Sequence, residues 1–134
     1  MLEPRNIPLV EEESPFKGKT GIVRVRNAFF NSIVGLSDAW RHESAFRQEV
    51  LLAAVMIPAA FFLTSAAMER AMLVAVVLLV LIVELLNSSV EAAIDRISFD
   101  HHLLSKRAKD IGSAAVFVSL VLCVSVWALV LLGR

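Results

Sequence analysis

The chain contains three long stretches that are almost free of charge. Residues 50–68 and 111–133 contain no Asp, Glu, Lys or Arg, and residues 71–94 contain only Glu84 and Glu91. Each stretch is close to the roughly 20 residues that a helix needs to cross the hydrocarbon core of a bilayer. The 13 basic and 13 acidic side chains lie almost entirely outside these stretches, although 57% of the chain is hydrophobic. The pattern predicts an all-α membrane protein with transmembrane helices over about 48–68, 70–95 and 110–133.

The segment before the first apolar stretch has helical periodicity. Between residues 20 and 42, apolar side chains recur at steps of three and four, whereas polar side chains mark the opposite face. This pattern predicts an amphipathic helix on the membrane surface, with Trp40 at the interface. Residues 1–19 contain three prolines and an acidic triplet without periodicity, which predicts a flexible N-terminal extension in front of a membrane domain over residues 20–134.

Basic residues are distributed unevenly between the predicted loops. Seven Lys and Arg residues precede the first apolar stretch, one follows it, four lie between the second and third stretches, and one ends the chain. The positive-inside rule therefore predicts a cytoplasmic N-terminus and a cytoplasmic second loop. The formal net charge is zero and no basic cluster is interleaved with aromatic residues, so we expect no nucleic-acid partner.

Polar residues occupy one face of the second predicted membrane helix. At 100° per residue, Asn87, Ser88, Glu91 and Asp95 all fall within about 60° of Glu84. A carboxylate at the bilayer centre costs about 2.5–3.5 kcal/mol even on the most lenient scale. Because helix formation alone does not require these side chains, the stripe is a candidate functional site.

The residue types of this stripe favour phosphoryl transfer to a lipid. Glu43, with Glu91 and Asp95, supplies carboxylates beside a loop containing Lys109, and Mg²⁺ is typically held by one or two carboxylates together with phosphate oxygens. Glu84 lies two turns deeper, roughly 10 Å along the helix, where it is a candidate general base for a hydroxyl that stays in the membrane. Neither a P-loop nor a protein-kinase signature occurs in the chain.

The residues alone leave two functions open, a small membrane enzyme and a proton-coupled exporter that uses Glu84. The exporter requires a water path on both sides of Glu84, and the apolar residues 71–83 favour the enzyme. For single residues, interpretations without a role in catalysis also remain open. His101 and His102 are a weak metal signal without a third ligand, and Lys109 with Asp110 is equally suited to capping a helix.

Three ordered motifs resemble the prokaryotic integral-membrane diacylglycerol kinase family: residues 43–49 (ESAFRQE), 83–96 (VELLNSSVEAAIDR) and 107–115 (RAKDIGSAA). The resemblance covers about residues 21–133. It implies a homotrimer in the bacterial inner membrane that transfers the γ-phosphoryl group of MgATP to diacylglycerol, giving phosphatidic acid. Undecaprenol kinases share the carboxylate framework, but residues 46–49 and the two alanines after Ser113 look more like the diacylglycerol branch.

The resemblance also implies roles for individual residues. Glu84 matches the general base and Asn87 the active-site amide, while Glu43 and Glu91 match the Mg²⁺ ligands. The positions implied for nucleotide binding are Arg24, Asp100, His101, His102, Lys109 and Asp110, and those implied for the lipid are Arg24, Gln48, Glu84 and Ser113. The chain departs from the family at Asn27, Asn31 and Ser37 on the surface helix and at His101, where an aromatic residue is familiar. Of the implied features, adenine stacking and nucleotide affinity therefore have the weakest support from the resemblance.

Overall fold

The computed structural model describes residues 20–97 and 102–134, which form four α-helices. They are α1 (Ile22–His42), α2 (Ser44–Leu63), α3 (Ala67–Ile97) and α4 (Leu103–Leu132), and these described residues contain no strand. The predicted all-α fold with one N-terminal helix and three membrane helices is confirmed. The predicted extension over residues 1–19 and the predicted site residues Asp100 and His101 lie outside the described residues.

Three of the described helices, α2, α3 and α4, are long and apolar enough to cross a membrane. The 31 residues of α3 extend over about 46 Å, which exceeds the roughly 30 Å hydrocarbon core. α4 begins at Leu103 instead of about residue 110, because His102 caps its first turn: the Nδ1 of this residue accepts a hydrogen bond from the backbone N–H of Leu104 at 3.1 Å. Polar residues of the predicted loop therefore belong to the first turns of α4.

α3 packs against both α2 and α4. A small core joins the three helices and contains Ala53 from α2, Val77 and Val80 from α3, and Cys123 from α4. The indole Nε1 of Trp127 donates a hydrogen bond to the carbonyl oxygen of Leu73 at 3.2 Å. Cys123 is buried as a free thiol and packs as a small apolar residue.

Most large apolar side chains on the membrane helices are exposed. Phe62, for example, has 92% of its surface exposed. Such faces are costly in water but favourable in lipid, where apolar contact carries no hydration penalty. The small internal core and the broad apolar exterior together identify a membrane protein.

Two arginines close the turn between α2 and α3. Arg70 donates from Nε to the carbonyl oxygen of Thr64 at 2.7 Å and from Nη2 to that of Phe61 at 3.0 Å. Arg134 donates to the carbonyl oxygen of Leu63 at 2.7 Å and pairs with Glu69 at 2.9 Å. Glu69 also accepts a hydrogen bond from the Thr64 hydroxyl. The last carbonyls of α2, which have no partners inside the helix, are thus satisfied by side chains.

We expect Arg70→Ala to destabilise the fold by about 1.5–3 kcal/mol, because it removes charge-assisted hydrogen bonds to helix-terminal carbonyls. Unfolding of the purified protein in a mixed detergent titration measures this loss. Lys106→Ala is the matched control: Lys106 makes an exposed ion pair with Asp110, in which the two side chains are 74% and 63% exposed, and such pairs contribute little. Equal stability of both variants would contradict a structural role for Arg70.

Candidate active site

One continuous seam of α3 changes from apolar to polar along its length. Leu73, Val77, Val80 and Glu84 are the buried residues of this helix, and their spacing of four, three and four places them on one face. The same spacing continues through Asn87, Glu91 and Asp95, which are half-buried. We call Glu84, Asn87, Glu91 and Asp95 the polar stripe. The packing face of the helix therefore supplies the candidate site residues.

Glu84 lies deepest in the polar stripe and is only 5% exposed. The carboxylates of Glu43 and Glu91 are close enough to Glu84 for electrostatic repulsion. Glu49 repels Glu84 in the same way. Two elements produce this cluster, because Glu43 and Glu49 come from the start of α2 while Glu84 and Glu91 come from α3.

Glu43 occupies the N-cap position of α2, and its backbone is extended with φ −112° and ψ 105°. Its side chain makes no capping hydrogen bond and is half-buried. A Glu in this position commonly stabilises a helix start through its charge. Here the carboxylate makes no such cap and lies within electrostatic reach of Glu84, where two negative charges favour a cation between them.

Asn87 links the deep and shallow parts of the polar stripe. Its Nδ2 donates a long hydrogen bond to Glu91 Oε1 at 3.4 Å. Its Oδ1 is buried and has no hydrogen-bond partner among the residues that the structure describes. A buried acceptor without a partner is costly, and such groups commonly mark a functional site.

Lys109 of α4 contacts the end of the polar stripe. Its Nζ lies 2.7 Å from Asp95 Oδ1, and both side chains are less than half exposed. The Lys109 charge also reaches Glu91. Asp110, the next residue, points elsewhere and pairs with Lys106 along α4 at 2.6 Å. Of these two predicted nucleotide contacts, only Lys109 contacts the polar stripe.

The other predicted site residues are more exposed. Arg24 is exposed on α1, Gln48 on α2 and Ser113 on α4. His102 is exposed and caps α4, so its ring already has a structural partner. The described structure thus brings together Glu43, Glu84, Asn87, Glu91 and Lys109.

The sequence predicted no role for Glu49 and did not predict the ion-pair partner of Asp95. Glu49 has a buried carboxylate oxygen, Oε2, without a hydrogen-bond partner in the described part of the chain. Its signal in the sequence was its place as the last charge before the apolar residues 50–68. Asp95 was recognised as part of the polar face, but its partner Lys109 lies on another helix.

No group of three or more His, Cys, Asp or Glu within residues 20–97 and 102–134 is arranged to hold a metal ion by itself. A kinase metal is different, because nucleotide phosphates supply part of its shell and one or two carboxylates suffice. The half-buried carboxylates of Glu43 and Glu91, both close to Glu84, provide hard oxygen ligands and excess negative charge. The residues present therefore fit a divalent cation that arrives with a nucleotide.

Comparison with known proteins decides the family. Residues 30–131 match the family model described as "Prokaryotic diacylglycerol kinase". The chain belongs to the prokaryotic diacylglycerol kinase family. It is 56% identical over 120 residues to a protein named diacylglycerol kinase from Pseudomonas aeruginosa, covering 90% of this chain and 98% of the relative. It is also 44% identical over 112 residues to the diacylglycerol kinase of Escherichia coli K12, covering 84% and 92%.

A third diacylglycerol kinase, from Haemophilus influenzae, is 45% identical over 108 residues, which cover 81% of this chain and 92% of the relative. The family-model match over residues 30–131 includes α2, α3 and most of α4, and with them the polar stripe. The predicted resemblance is confirmed.

Proposed function

We propose that this protein transfers the γ-phosphoryl group of ATP to the hydroxyl of diacylglycerol, giving phosphatidic acid and ADP. The observation that carries the proposal is the buried Glu84 carboxylate on a membrane helix, with Glu43 and Glu91 close to it. The names of the relatives support the same reaction. No contact in the described structure favours undecaprenol or proton-coupled export instead.

Glu84 acts as the general base in this proposal. Its carboxylate accepts the proton of the lipid hydroxyl while the hydroxyl oxygen forms a bond to the γ-phosphorus. The bond between the γ-phosphorus and the bridging oxygen breaks, and ADP leaves with the electron pair. Positioning and electrostatics dominate phosphoryl transfer, so the enzyme mainly needs the hydroxyl, the base and the phosphate in one line.

Glu43 and Glu91 are the proposed ligands of the divalent metal, which we assign as Mg²⁺ because the donors are hard carboxylate oxygens. When bound with the nucleotide, Mg²⁺ neutralises phosphate charge. Asn87 holds Glu91 through its Nδ2 group, which fixes the direction of one ligand. Arg24, Asp100, His101, His102 and Asp110 remain proposed nucleotide contacts, and Gln48 and Ser113 remain proposed lipid contacts.

Lys109 is the proposed phosphate contact on α4. Its ammonium group is held by Asp95 at 2.7 Å, so a nucleotide phosphate would find the charge in a fixed place. Lysine binds phosphate as a compact point charge. Asp95 is in this view a positioning residue, and Lys109 is the group that touches ATP.

We expect Lys109→Ala to raise the KM for ATP by about 10-fold or more, the loss of one charge-assisted hydrogen bond, with little change in the KM for diacylglycerol. The matched control is Arg107→Ala, because Arg107 is an exposed basic residue of the same helix and has no proposed role. Steady-state kinetics in mixed micelles measure both constants. A similar rise in both variants would mean that general charge near α4, and not Lys109, attracts the nucleotide.

Three broader assignments complete the proposal. We propose a homotrimer, which is the assembly that the family resemblance implies. The positive-inside distribution of Lys and Arg supports a cytoplasmic N-terminus in the bacterial inner membrane. The exposed apolar side chains of α1 support its placement on the membrane surface.

The decisive experiment incubates the purified protein with γ-labelled ATP, Mg²⁺ and micelles that contain both diacylglycerol and undecaprenol. We expect label in phosphatidic acid. Label in undecaprenyl phosphate alone would replace the proposed substrate, and absence of any labelled lipid from folded protein would contradict the kinase reaction. Omission of Mg²⁺ from a parallel reaction tests the metal assignment.

A further inference from the structure

Asn87 lies directly against Gly112 of α4. A Cβ atom built on Gly112 would overlap Asn87 Oδ1 and would lie 3.3 Å from Asn87 Cγ. Apart from Gly112, its two chain neighbours and the local helix backbone, no other atom of the described residues comes within 4 Å of that Cβ position. The space left by the missing side chain is therefore occupied by one group, the Asn87 amide.

This contact belongs to the same α3–α4 surface as the Lys109–Asp95 pair. Lys109 and Gly112 are three residues apart and share a face of α4. Lys109 contacts Asp95, and Gly112 meets Asn87 two turns earlier on α3. One face of α4 thus places the Lys109 charge beside Asp95 and leaves space at Gly112 for the side chain of Asn87.

The Asn87 amide has opposite surroundings at its two ends. Nδ2 donates to Glu91 at 3.4 Å, whereas Oδ1 is buried against Gly112 without a hydrogen-bond partner in the described residues. Rotation of the amide away from α4 would give Oδ1 other surroundings but would also move Nδ2 away from Glu91. The observed orientation consequently depends on the absence of a side chain at residue 112.

We propose that Gly112 is a positioning residue for the phosphoryl transfer: it admits the Asn87 amide to its place and so fixes the direction of the Asn87–Glu91 hydrogen bond. The inference rests on the proposed role of Asn87 in the active site. Helix flexibility is not the reason for a glycine here, since Gly112 lies inside α4 and its φ is not positive. The requirement is space.

Gly112→Ala tests this proposal because it adds a single methyl group. We expect kcat to fall by about 10²-fold, the scale of a 1 Å displacement in an active site, while the KM for diacylglycerol stays within about twofold. Gly35→Ala is the matched control, since a Cβ at Gly35 meets no atom within 4 Å. Both changes raise intrinsic helix propensity, so propensity alone predicts stabilisation in each variant.

The Asn87→Ala background separates a specific contact from general damage to the fold. Removal of the amide empties the space beside residue 112, so Gly112→Ala should lower the melting temperature and kcat in the wild-type background and neither of them in Asn87→Ala. An equal loss in both backgrounds would overturn the proposal, since α4 would then need glycine for another reason. Circular dichroism and size-exclusion chromatography establish that each variant is folded.

The experiments distinguish a wrong role for Asn87 from a wrong inference about Gly112. If Asn87→Ala retained wild-type kcat, the proposed role of Asn87 would be wrong and the role of Gly112 would fall with it. If Asn87→Ala lost activity while folded Gly112→Ala kept wild-type kcat, Asn87 would keep its role and only the inference about Gly112 would be wrong.

Discussion

Glu84→Gln should lower kcat by about 10²–10⁴-fold, the usual contribution of a general base. The amide preserves the shape of the side chain but does not accept the proton of the lipid hydroxyl. It also removes one charge from a group of mutually repelling carboxylates, so the fold should be at least as stable as the wild type. Nucleotide binding should change little, and turnover should be almost lost.

The measurement is a kcat determination in mixed micelles, together with unfolding of the same preparation. Glu69→Gln is the matched control, because Glu69 is also a carboxylate of α3 but contacts Thr64 and Arg134 in the α2–α3 turn. We expect that variant to lose stability and to keep its turnover. Near-normal turnover of Glu84→Gln would show that Glu84 has a structural role.

Glu43→Ala and Glu91→Ala should each raise the Mg²⁺ concentration required for half-maximal activity by at least about 10–100-fold. Changes to groups that only support metal ligands already cost this much, and the proposed site has only two protein carboxylates. The Glu91 variant also frees Asn87 Nδ2 from its partner, so its loss should be the larger of the two.

A Mg²⁺ titration of activity at saturating ATP and diacylglycerol measures this effect. Asp38→Ala provides the control, since Asp38 is an exposed carboxylate on α1 outside the polar stripe. Unchanged half-saturation in both Glu variants would remove these residues from the metal site. Recovery of wild-type rates at high Mg²⁺ would show that chemistry survives once the ion is bound.

The helices were predictable because the signals that specify them are local. Three apolar stretches of membrane-spanning length and one amphipathic segment predicted α1 to α4 in the correct order. The start of α4 was not predicted. The sequence predicted a nucleotide contact for His102 but not its hydrogen bond from the Leu104 amide, with which the helix begins at Leu103.

Helical spacing predicted the part of the candidate site that lies on one helix, whereas Glu43 and Lys109 were assigned to it by residue type and by the family resemblance. Helical spacing alone placed Asn87, Glu91 and Asp95 on the face of Glu84. Glu49 was missed because it lies six residues after Glu43, a spacing that does not place two side chains on one helical face. The Lys109–Asp95 pair and the Asn87–Gly112 contact were also missed, since both join different helices and leave no periodic signal in the sequence.

The length of α3 places the proposed lipid-binding and nucleotide-binding ends of the site on one helix. Glu84 lies 17 residues after Ala67, roughly 25 Å along the helix axis, and Asp95 lies about 16 Å beyond it. In the proposed orientation, Glu84 then sits near the boundary between hydrocarbon and headgroups, while Asp95 reaches the aqueous phase. Along this helix a lipid hydroxyl in the bilayer and a nucleotide in water can meet while each stays in its own phase. In this proposed arrangement the enzyme needs no cavity that extracts the lipid, because the bilayer holds the acceptor at the depth of Glu84.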